Sequence, residues 1–226
     1  MSVGEFLSNG RPAWGCLPRK TRPGERPMAE GRIKLVPESE WDALAKQISL
    51  RPHRRTLLDQ NGFGSCASES STQALMLDRV LQGLPHVPLN PLFVYGRVNG
   101  GRDGGSSIDD NIDFLVKHGC APESVWPRSK GWRAEPSKEA WAAAAEFRIL
   151  EYWDISTVAE FVSALLCGMP VVHGAKGHAI CAVEHKGPYP LILNSWGQWE
   201  DDGYGRWCGY NEVNWGYGAW AARAAT

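Results

Sequence analysis

The pattern of apolar residues changes near the middle of this 226-residue chain, and that change constrains the fold more than any single motif. Between Cys66 and His118 the sequence is rich in helix formers, apolar residues recur at helical spacing, and Gly83 and Gly119 stand where helices would end. From Val171 onward, short apolar runs alternate with Gly and Pro, as is typical of strands. The two halves predict an α+β fold, with a helical lobe followed by an antiparallel β-sheet or small barrel and a ligand cleft between the lobes.

Local signals place individual elements within these halves. The expected helices are a short amphipathic one that includes Trp41, one over residues 66–82, one after Pro91, one over 107–118, and VAEFVSALLC, which Thr157 precedes and opens as a capping box with Glu160. The expected strands are VVHG, HAICAVE, PLILNS, YGRWCGY and YGAWAA.

Composition argues against several classes of function. Lys and Arg number 24 against 25 Asp and Glu, a formal net charge of −1, so no basic field recruits nucleic acid or an anionic membrane. No apolar run approaches the length of a membrane-spanning helix, and the first residues lack the pattern of a signal peptide. The six cysteines lack zinc-ligand spacing, so we expect free thiols, a reducing cytoplasmic environment, no metal and no cofactor.

One cysteine stands at a predicted helix start. Cys66 follows the flexible segment GFGS, and unpaired N–H groups at a helix N-terminus favour a thiolate, so its pKa is expected to be lowered. A buried structural cysteine is the competing interpretation, and this observation alone favours it. His178 at a strand start and Asn194 after the next apolar run are candidates for a base and its orienting partner. Each of these two alone is better explained by a histidine satisfied by backbone and an asparagine in a turn.

Three segments change this balance when they are taken together in their order along the chain. DQNGFGSCAS, GHAICAV and LNSWGQWEDDGYGRW resemble the signatures of the papain family (C1) of cysteine peptidases: a Gln six residues before the Cys, a His-Ala pair, and Asn-Ser-Trp-Gly. LNPLFVYGRVNGG and DGGSSIDDNIDFLVKHGCAPESVWP are similar to the helical lobe of bacterial and viral members. The resemblance covers about residues 56–210 and implies a papain-like two-lobe fold.

The resemblance also implies a role for each matching residue. Cys66 would be the nucleophile and His178 its general acid and base. Asn194 would orient the His178 ring, and Gln60 would join the Cys66 N–H in the oxyanion hole. Trp196 is similar to the family tryptophan that shields the Asn–His hydrogen bond from water. We therefore expect a thiol protease that hydrolyses peptide or protein substrates through an acyl-thioester, with Cys66 alkylated faster than the other five cysteines.

The segment Asp103-Gly104-Gly105 resembles the stretch whose main chain pairs with an extended substrate, a task that suits glycine because it allows close backbone approach. An ordinary flexible loop is an equal alternative for Gly104 and Gly105. The sequence also departs from the family pattern. Ala67 follows the nucleophile where the family has Trp, and Phe63 stands where it has a half-cystine, so that disulfide is absent.

Two further departures concern the substrate cleft. Only three residues separate VVHG from His178, so one wall of the usual substrate cleft is short and specificity is open. The interval from NSWG to GYG is one residue shorter than usual, which leaves the role of Trp199 open.

Function remains open between an active peptidase and other uses of the same fold. The main alternative is a catalytically idle binding or structural module within a larger assembly, possibly a viral one. Retention of Cys, His, Asn and Gln together argues for activity, because neither fold nor stability requires that combination. Acyl transfer to an amine in place of water would use the same intermediate and is not separated by sequence.

The N-terminal residues form a separate region. Residues 1–34 are rich in Pro, Gly and Arg, and seven basic residues against three acidic ones give this arm a formal charge of +4. Residues 35–226 form the expected peptidase domain, with a helical lobe at about 56–135 and a β lobe at about 145–226. We expect the arm to bind either a partner protein in an assembly or the chain's own cleft, and the partner is favoured because the arm is shorter than a folded inhibitory propeptide. The expected location is cytoplasmic or virion-associated.

Overall fold

A computed structural model describes residues 15–20 and 35–224 of the chain. The helices in these ranges are α1 (Trp41–Ala45), α2 (Cys66–Leu81), α3 (Pro91–Val98), α4 (Ile108–Lys117), α5 (Lys138–Ala144) and α6 (Val158–Leu166). The strands are β1 (Cys16–Leu17), β2 (Ser106–Ser107), β3 (Ile149–Asp154), β4 (Val171–Ala175), β5 (His178–Lys186), β6 (Tyr189–Leu193), β7 (Tyr204–Gly205) and β8 (Ala219–Ala224). Apart from 15–20, the predicted arm lies outside the described residues.

Local capping chemistry explains why the helices begin where the sequence predicted. The Ser107 side chain accepts from the N–H of Asp110 at the start of α4. At the start of α6, Thr157 and Glu160 form the predicted capping box. Among the described residues, no helix is both long enough and apolar enough to cross a membrane. Helix α2 is buried along most of its length, since it packs against α3, α4, β5 and β8.

Six of the strands form one antiparallel sheet with the order β3-β8-β4-β5-β6-β7. The predicted sheet is confirmed and the predicted alternative of a barrel is not, because the sheet does not close. YGRWCGY contributes only the two residues of β7, after which the chain turns into a short 3₁₀ helix, Tyr210–Glu212. Strand β3 was not predicted, because no Gly or Pro bounds it as they bound the other runs.

The two faces of the sheet are both covered. Along β5, Ala179 and Val183 belong to the cluster that packs against α2 and α4, whereas Ile180 and Ala182 point to the opposite cluster beneath α1 and α6. The first cluster also contains Cys66, so the helical lobe and the sheet share one continuous apolar core. The predicted catalytic residues lie along this shared boundary.

Candidate active site

The Cys66 side chain lies at the boundary between the lobes. Cys66 is the first residue of α2 and has no exposed surface. It shares an apolar cluster with Ala179, the residue that follows His178 on β5. Helix α2 and strand β5 therefore bring the predicted nucleophile and the predicted base to the same boundary.

The orientation of the histidine ring follows from its contact with the asparagine. His178 Nε2 lies 2.7 Å from Asn194 Oδ1, and the same oxygen accepts the backbone N–H of Ser195 at 2.8 Å. An amide oxygen has no proton to give, so Nε2 carries the hydrogen of this contact. Nδ1 is then the basic nitrogen of the neutral ring, the one that can take a proton from a thiol.

Two tryptophans enclose the His–Asn pair. The Trp196 ring stacks on His178 with centroids 4.7 Å apart and planes 22° apart. Trp207 meets the same imidazole edge-on at 5.7 Å and donates its indole N–H to the Ala175 carbonyl at 3.3 Å. Trp199 contacts Trp196 edge-on at 5.7 Å. Trp207 was not singled out from the sequence, because an aromatic in an apolar segment is usually part of the core.

The Gln60 side chain is fully buried and its amide is held at both ends. Its Oε1 accepts from Ser195 Oγ at 2.8 Å, and its Nε2 donates to the Phe63 carbonyl at 2.7 Å. A primary amide nitrogen carries two hydrogens, so one remains for the oxygen of a ligand. The same contacts connect the loop before Cys66 to the segment that follows Asn194.

The two predicted substrate-pairing glycines differ in how far their surroundings require glycine. Gly105 has φ +89°, and a Cβ there would lie 2.2 Å from the Gly15 carbonyl oxygen. Gly104 would meet only the Arg102 side chain, at 3.4 Å. A close approach of another main chain is therefore built into Gly105 but not into Gly104.

The segment that approaches Gly105 is the arm itself. The Gly15 carbonyl accepts from the N–H of Ser106 at 2.9 Å, and β1 pairs in parallel with β2. On the other side, the N–H groups of Gly15 and Cys16 both point to the Gly177 carbonyl at 3.2 Å. Residues 15–17 thus lie between the helical lobe and the β lobe, next to the residue that precedes His178. This is the chain's own cleft, which the sequence analysis had ranked behind a partner protein.

Burial shifts the pKa of the Cys66 thiol in the direction opposite to the one expected from the sequence. Desolvation raises the pKa of the Cys66 thiol to about 12, although the nearby backbone groups of Ala179, Ala67 and Gly15 act in the opposite direction. The expectation of a lowered pKa, drawn from the helix start alone, is therefore wrong for this closed arrangement. The sequence could not reveal the reason, because Cys66 is buried against residues that are far from it in the chain, such as Ala179 of β5.

This burial changes the expected order of thiol alkylation. All six cysteines are free and described, and Cys167 is the exposed one. In the intact chain we expect iodoacetamide to modify Cys167 before Cys66, because reagent access limits a fully covered thiol. Peptide mapping over a time course measures the order. If Cys66 is labelled first in the intact chain, the arm does not cover it in solution.

A buried ion pair supports the loop before the nucleophile. The carboxylate of Glu69 accepts two hydrogen bonds from Arg128, at 3.1 and 2.8 Å, and one from Ser65 Oγ at 3.2 Å. Arg128 also donates to the Asp59 carbonyl at 2.6 Å. Burial raises the pKa of the Glu69 carboxyl, and the positive charge of Arg128 opposes that rise. Sequence gave no signal of this pairing, since the partners are 59 residues apart.

A second network joins the nucleophile loop to the glycine loop. Asp103 Oδ1 accepts from the Gly64 N–H at 2.8 Å and from the Tyr95 hydroxyl at 2.6 Å, and the Gly105 N–H points to that hydroxyl at 3.2 Å. Burial raises the pKa of Tyr95, so the phenol remains a donor. Phe63 packs against the buried cluster of Leu92, Tyr95 and Trp132. Hydrogen bonds therefore connect the Gly64 and Gly105 loops.

Comparison with known proteins identifies the fold. No family model matches this sequence, and no curated protein is significantly similar to it. Xylellain, a cysteine protease from Xylella fastidiosa, has a TM-score of 0.68 to this chain at 22% identity, over 93% of this chain and 99% of that chain. Digestive procathepsin L 3 of Tenebrio molitor larval midgut gives 0.68 at 18% identity, over 90% of this chain and 75% of that chain. This chain has the papain-like fold.

Other papain-like structures agree. Procathepsin B S9 from Trypanosoma congolense has a TM-score of 0.63 at 14% identity, over 94% of this chain and 87% of that chain. These structural neighbours are cysteine proteases, and at such identities they share the fold while their chemistry does not transfer automatically. The predicted site residues of this papain-like chain lie where its two lobes meet, and the argument for their roles rests on their own geometry.

Proposed function

We propose that this protein is a cysteine peptidase with Cys66 as nucleophile and His178 as general acid and base. The observation that carries the proposal is the 2.7 Å contact between His178 Nε2 and Asn194 Oδ1 beneath the stacked Trp196, at the same lobe boundary as Cys66. That contact selects the tautomer in which Nδ1 accepts a proton. The fold of cysteine protease neighbours supports the same reaction class.

The proposed reaction proceeds in two stages. The Cys66 thiol gives its proton to His178 Nδ1, and the sulfur attacks the carbonyl carbon of a peptide bond. The oxyanion is held by the Cys66 N–H and the remaining Gln60 amide hydrogen. His178 then protonates the leaving amine, and water attacks the acyl-thioester with His178 as base. In the closed arrangement burial opposes thiolate formation at Cys66, and residues 15–17 occupy the cleft, so the arm is proposed to leave before the first step.

The substrate is proposed to be an extended peptide. The contacts of residues 15–17 support two pairing groups for such a chain, the Ser106 N–H on the helical lobe and the Gly177 carbonyl on the β lobe. Gly105 allows close approach of the main chain, and Gly104 continues the same loop. The domain limits of 35–226 and the similarity to bacterial and viral members belong to this proposal, as does action in a reducing compartment, cytoplasmic or virion-associated.

The arm is proposed to regulate the cleft. Its described residues fill the space that a peptide substrate would need, and their main-chain contacts are of the kind that a substrate would make. A partner protein that binds the arm, as the sequence analysis favoured, would then have to withdraw residues 15–17 and would open the cleft. Partner binding and self-binding are in this view two states of one segment.

An idle module remains the second candidate, and one observation favours it. Cys66 is fully covered and its pKa is raised to about 12, which is the opposite of an activated nucleophile. Profiling a diverse peptide pool separates the two functions, using the chain that lacks residues 1–33 beside the same chain with Cys66→Ala. Cleavage by the first and none by the second supports the peptidase. If neither chain cleaves any peptide in the pool, the binding-module function is supported instead.

The Gln60 amide offers a graded test of the proposed oxyanion hole. Gln60→Ala is expected to lower kcat by about 10²- to 10³-fold with little change in KM, because its hydrogen bond strengthens only as the oxyanion forms. Steady-state kinetics on one peptide substrate measures both constants. Gln73→Ala is the matched control, because Gln73 is also a buried glutamine but lies within α2. Equal kcat values in Gln60→Ala and wild type would remove Gln60 from the site.

A further inference from the structure

Within the described part of the arm, a buried ion pair lies beyond the residues that fill the cleft. Arg19 places its two terminal guanidinium nitrogens 3.0 and 2.8 Å from the two carboxylate oxygens of Asp154. The side chains are only 4% and 0% exposed, so the pair is almost completely removed from water. A bidentate pair in this setting recognises the planar shape of the guanidinium as well as its charge.

An aromatic ring completes the surroundings of this guanidinium. Asp154 and Trp220 are direct partners in the antiparallel pairing of β3 with β8. The Arg19 guanidinium carbon lies 5.1 Å from the centre of the Trp220 ring, within the range of a cation–π contact. The Trp220 indole N–H donates to Asp109 Oδ1 at 3.0 Å, which holds the ring in place. The sheet and α4 together therefore supply a carboxylate and an oriented ring for one guanidinium.

Main-chain hydrogen bonds hold the arm beside the Asp154–Trp220 pocket. The Arg19 N–H donates to the Gly216 carbonyl at 2.8 Å, and the Lys20 N–H donates to Asp109 Oδ2 at 3.2 Å. Cys16, three residues earlier, contacts the Gly177 carbonyl beside His178. A peptide that follows the path of residues 16–19 would pass His178 and, three residues later, present a side chain to Asp154.

We propose that Asp154 and Trp220 form a binding site for an arginine side chain of a substrate peptide, and that Arg19 occupies this site while the arm is in the cleft. The substrate role rests on the proposed peptidase function. When Arg19 leaves, a carboxylate built into a low-dielectric pocket loses its guanidinium, and an incoming arginine restores both hydrogen bonds. Lysine carries a single ammonium point charge and cannot reproduce the bidentate geometry.

The first experiment tests the pocket without any need for activity. The full chain with Arg19→Ala is titrated with propylguanidinium, and binding is measured by isothermal titration calorimetry. Saturable binding is expected, with a dissociation constant at least about 10-fold lower than for propylammonium. The affinity should fall by at least about 10-fold in Arg19→Ala/Asp154→Asn, which keeps the shape of the side chain and removes its charge. The wild-type chain, whose pocket is filled, should bind far more weakly.

Two results would overturn the proposal: no saturable binding to a folded Arg19→Ala chain, or equal binding to the double variant. Circular dichroism melting of each variant ensures that only folded chains are compared.

The second experiment tests the consequence for substrates. Peptide pairs that differ only by Arg or Ala at one position are cleaved by the chain that lacks residues 1–33, in which neither Arg19 nor residues 15–17 occupy the cleft, and kcat/KM is compared across positions. At one position the Arg peptide should be preferred by at least about 10-fold, and Asp154→Asn should abolish that preference while cleavage of the Ala peptides is kept. No preference at any position refutes a substrate role. Absence of all cleavage refutes the peptidase function and leaves the binding result to judge the pocket.

Discussion

Cys66→Ala and His178→Ala are each expected to lower peptide turnover by at least about 10⁴-fold, measured in a chain whose arm has been removed. Nucleophile and base act as one unit, so loss of either member removes most of what the pair contributes. Cys66 lies in the same apolar cluster as Ala179, which follows His178, and no second thiol or imidazole is proposed to take over either role. Single-turnover kinetics with one fluorogenic peptide measures the loss.

The chain offers a matched control for each substitution. Cys181, on the same strand as His178, is fully buried and packs in the same cluster as Cys66, so Cys181→Ala removes an equivalent buried thiol. His173 is fully buried on the neighbouring strand β4, so His173→Ala removes an equivalent imidazole. Both controls should remain within about 10-fold of the parent. Losses of similar size in all four variants would mean that packing, and not chemistry, is being measured.

Removal of the arm should give the largest gain in activity. Deleting residues 1–33 is expected to raise the rate of peptide hydrolysis by about 10- to 100-fold, because only the fraction of molecules with an open cleft can bind substrate. The closed state is held by the three main-chain contacts of Gly15 and Cys16 and by the buried Arg19–Asp154 pair. Initial rates at low substrate concentration report that fraction directly.

A shorter deletion distinguishes a plug from a tether. Removing residues 1–14 keeps the segment that contacts the cleft, so the rate should stay close to that of the full chain. Size-exclusion chromatography of each form reports assembly. An unchanged rate after deletion of 1–33 would contradict the plug, and loss of an assembly at that same unchanged rate would support a tether to a partner.

Features that depend on neighbours in sequence were predictable. The start of α2 at Cys66, the capping box of Thr157 and Glu160, and the strand that opens at His178 all follow from residues within a few positions of one another. The contact between His178 and Asn194 was anticipated through the order of the motifs, and Asn194 directly follows β6, the neighbour in the sheet of the strand that His178 opens.

Features that depend on distant residues were not predictable. Arg19 and Asp154 are 135 positions apart, and each alone reads as an ordinary charged surface residue. The raised pKa of Cys66 also depends on distant residues. The direction of the shift is set by the burial of the thiol and not by the helix that begins at Cys66. Asp103 likewise accepts a hydrogen bond from the N–H of Gly64, which is 39 positions away.

The shared core of the two lobes determines how substrate can enter. Cys66 and Ala67 of α2 belong to one uninterrupted cluster with Ala179, Cys181 and Trp220 of the sheet, so prising the lobes apart would expose much of the interior of the protein. Hinge opening would therefore require apolar surface shared by the lobes to be exposed to water. Detachment of the arm segment that contains residues 15–17 leaves that core intact, and access to the Cys66 thiol is then governed by a local opening equilibrium of the arm.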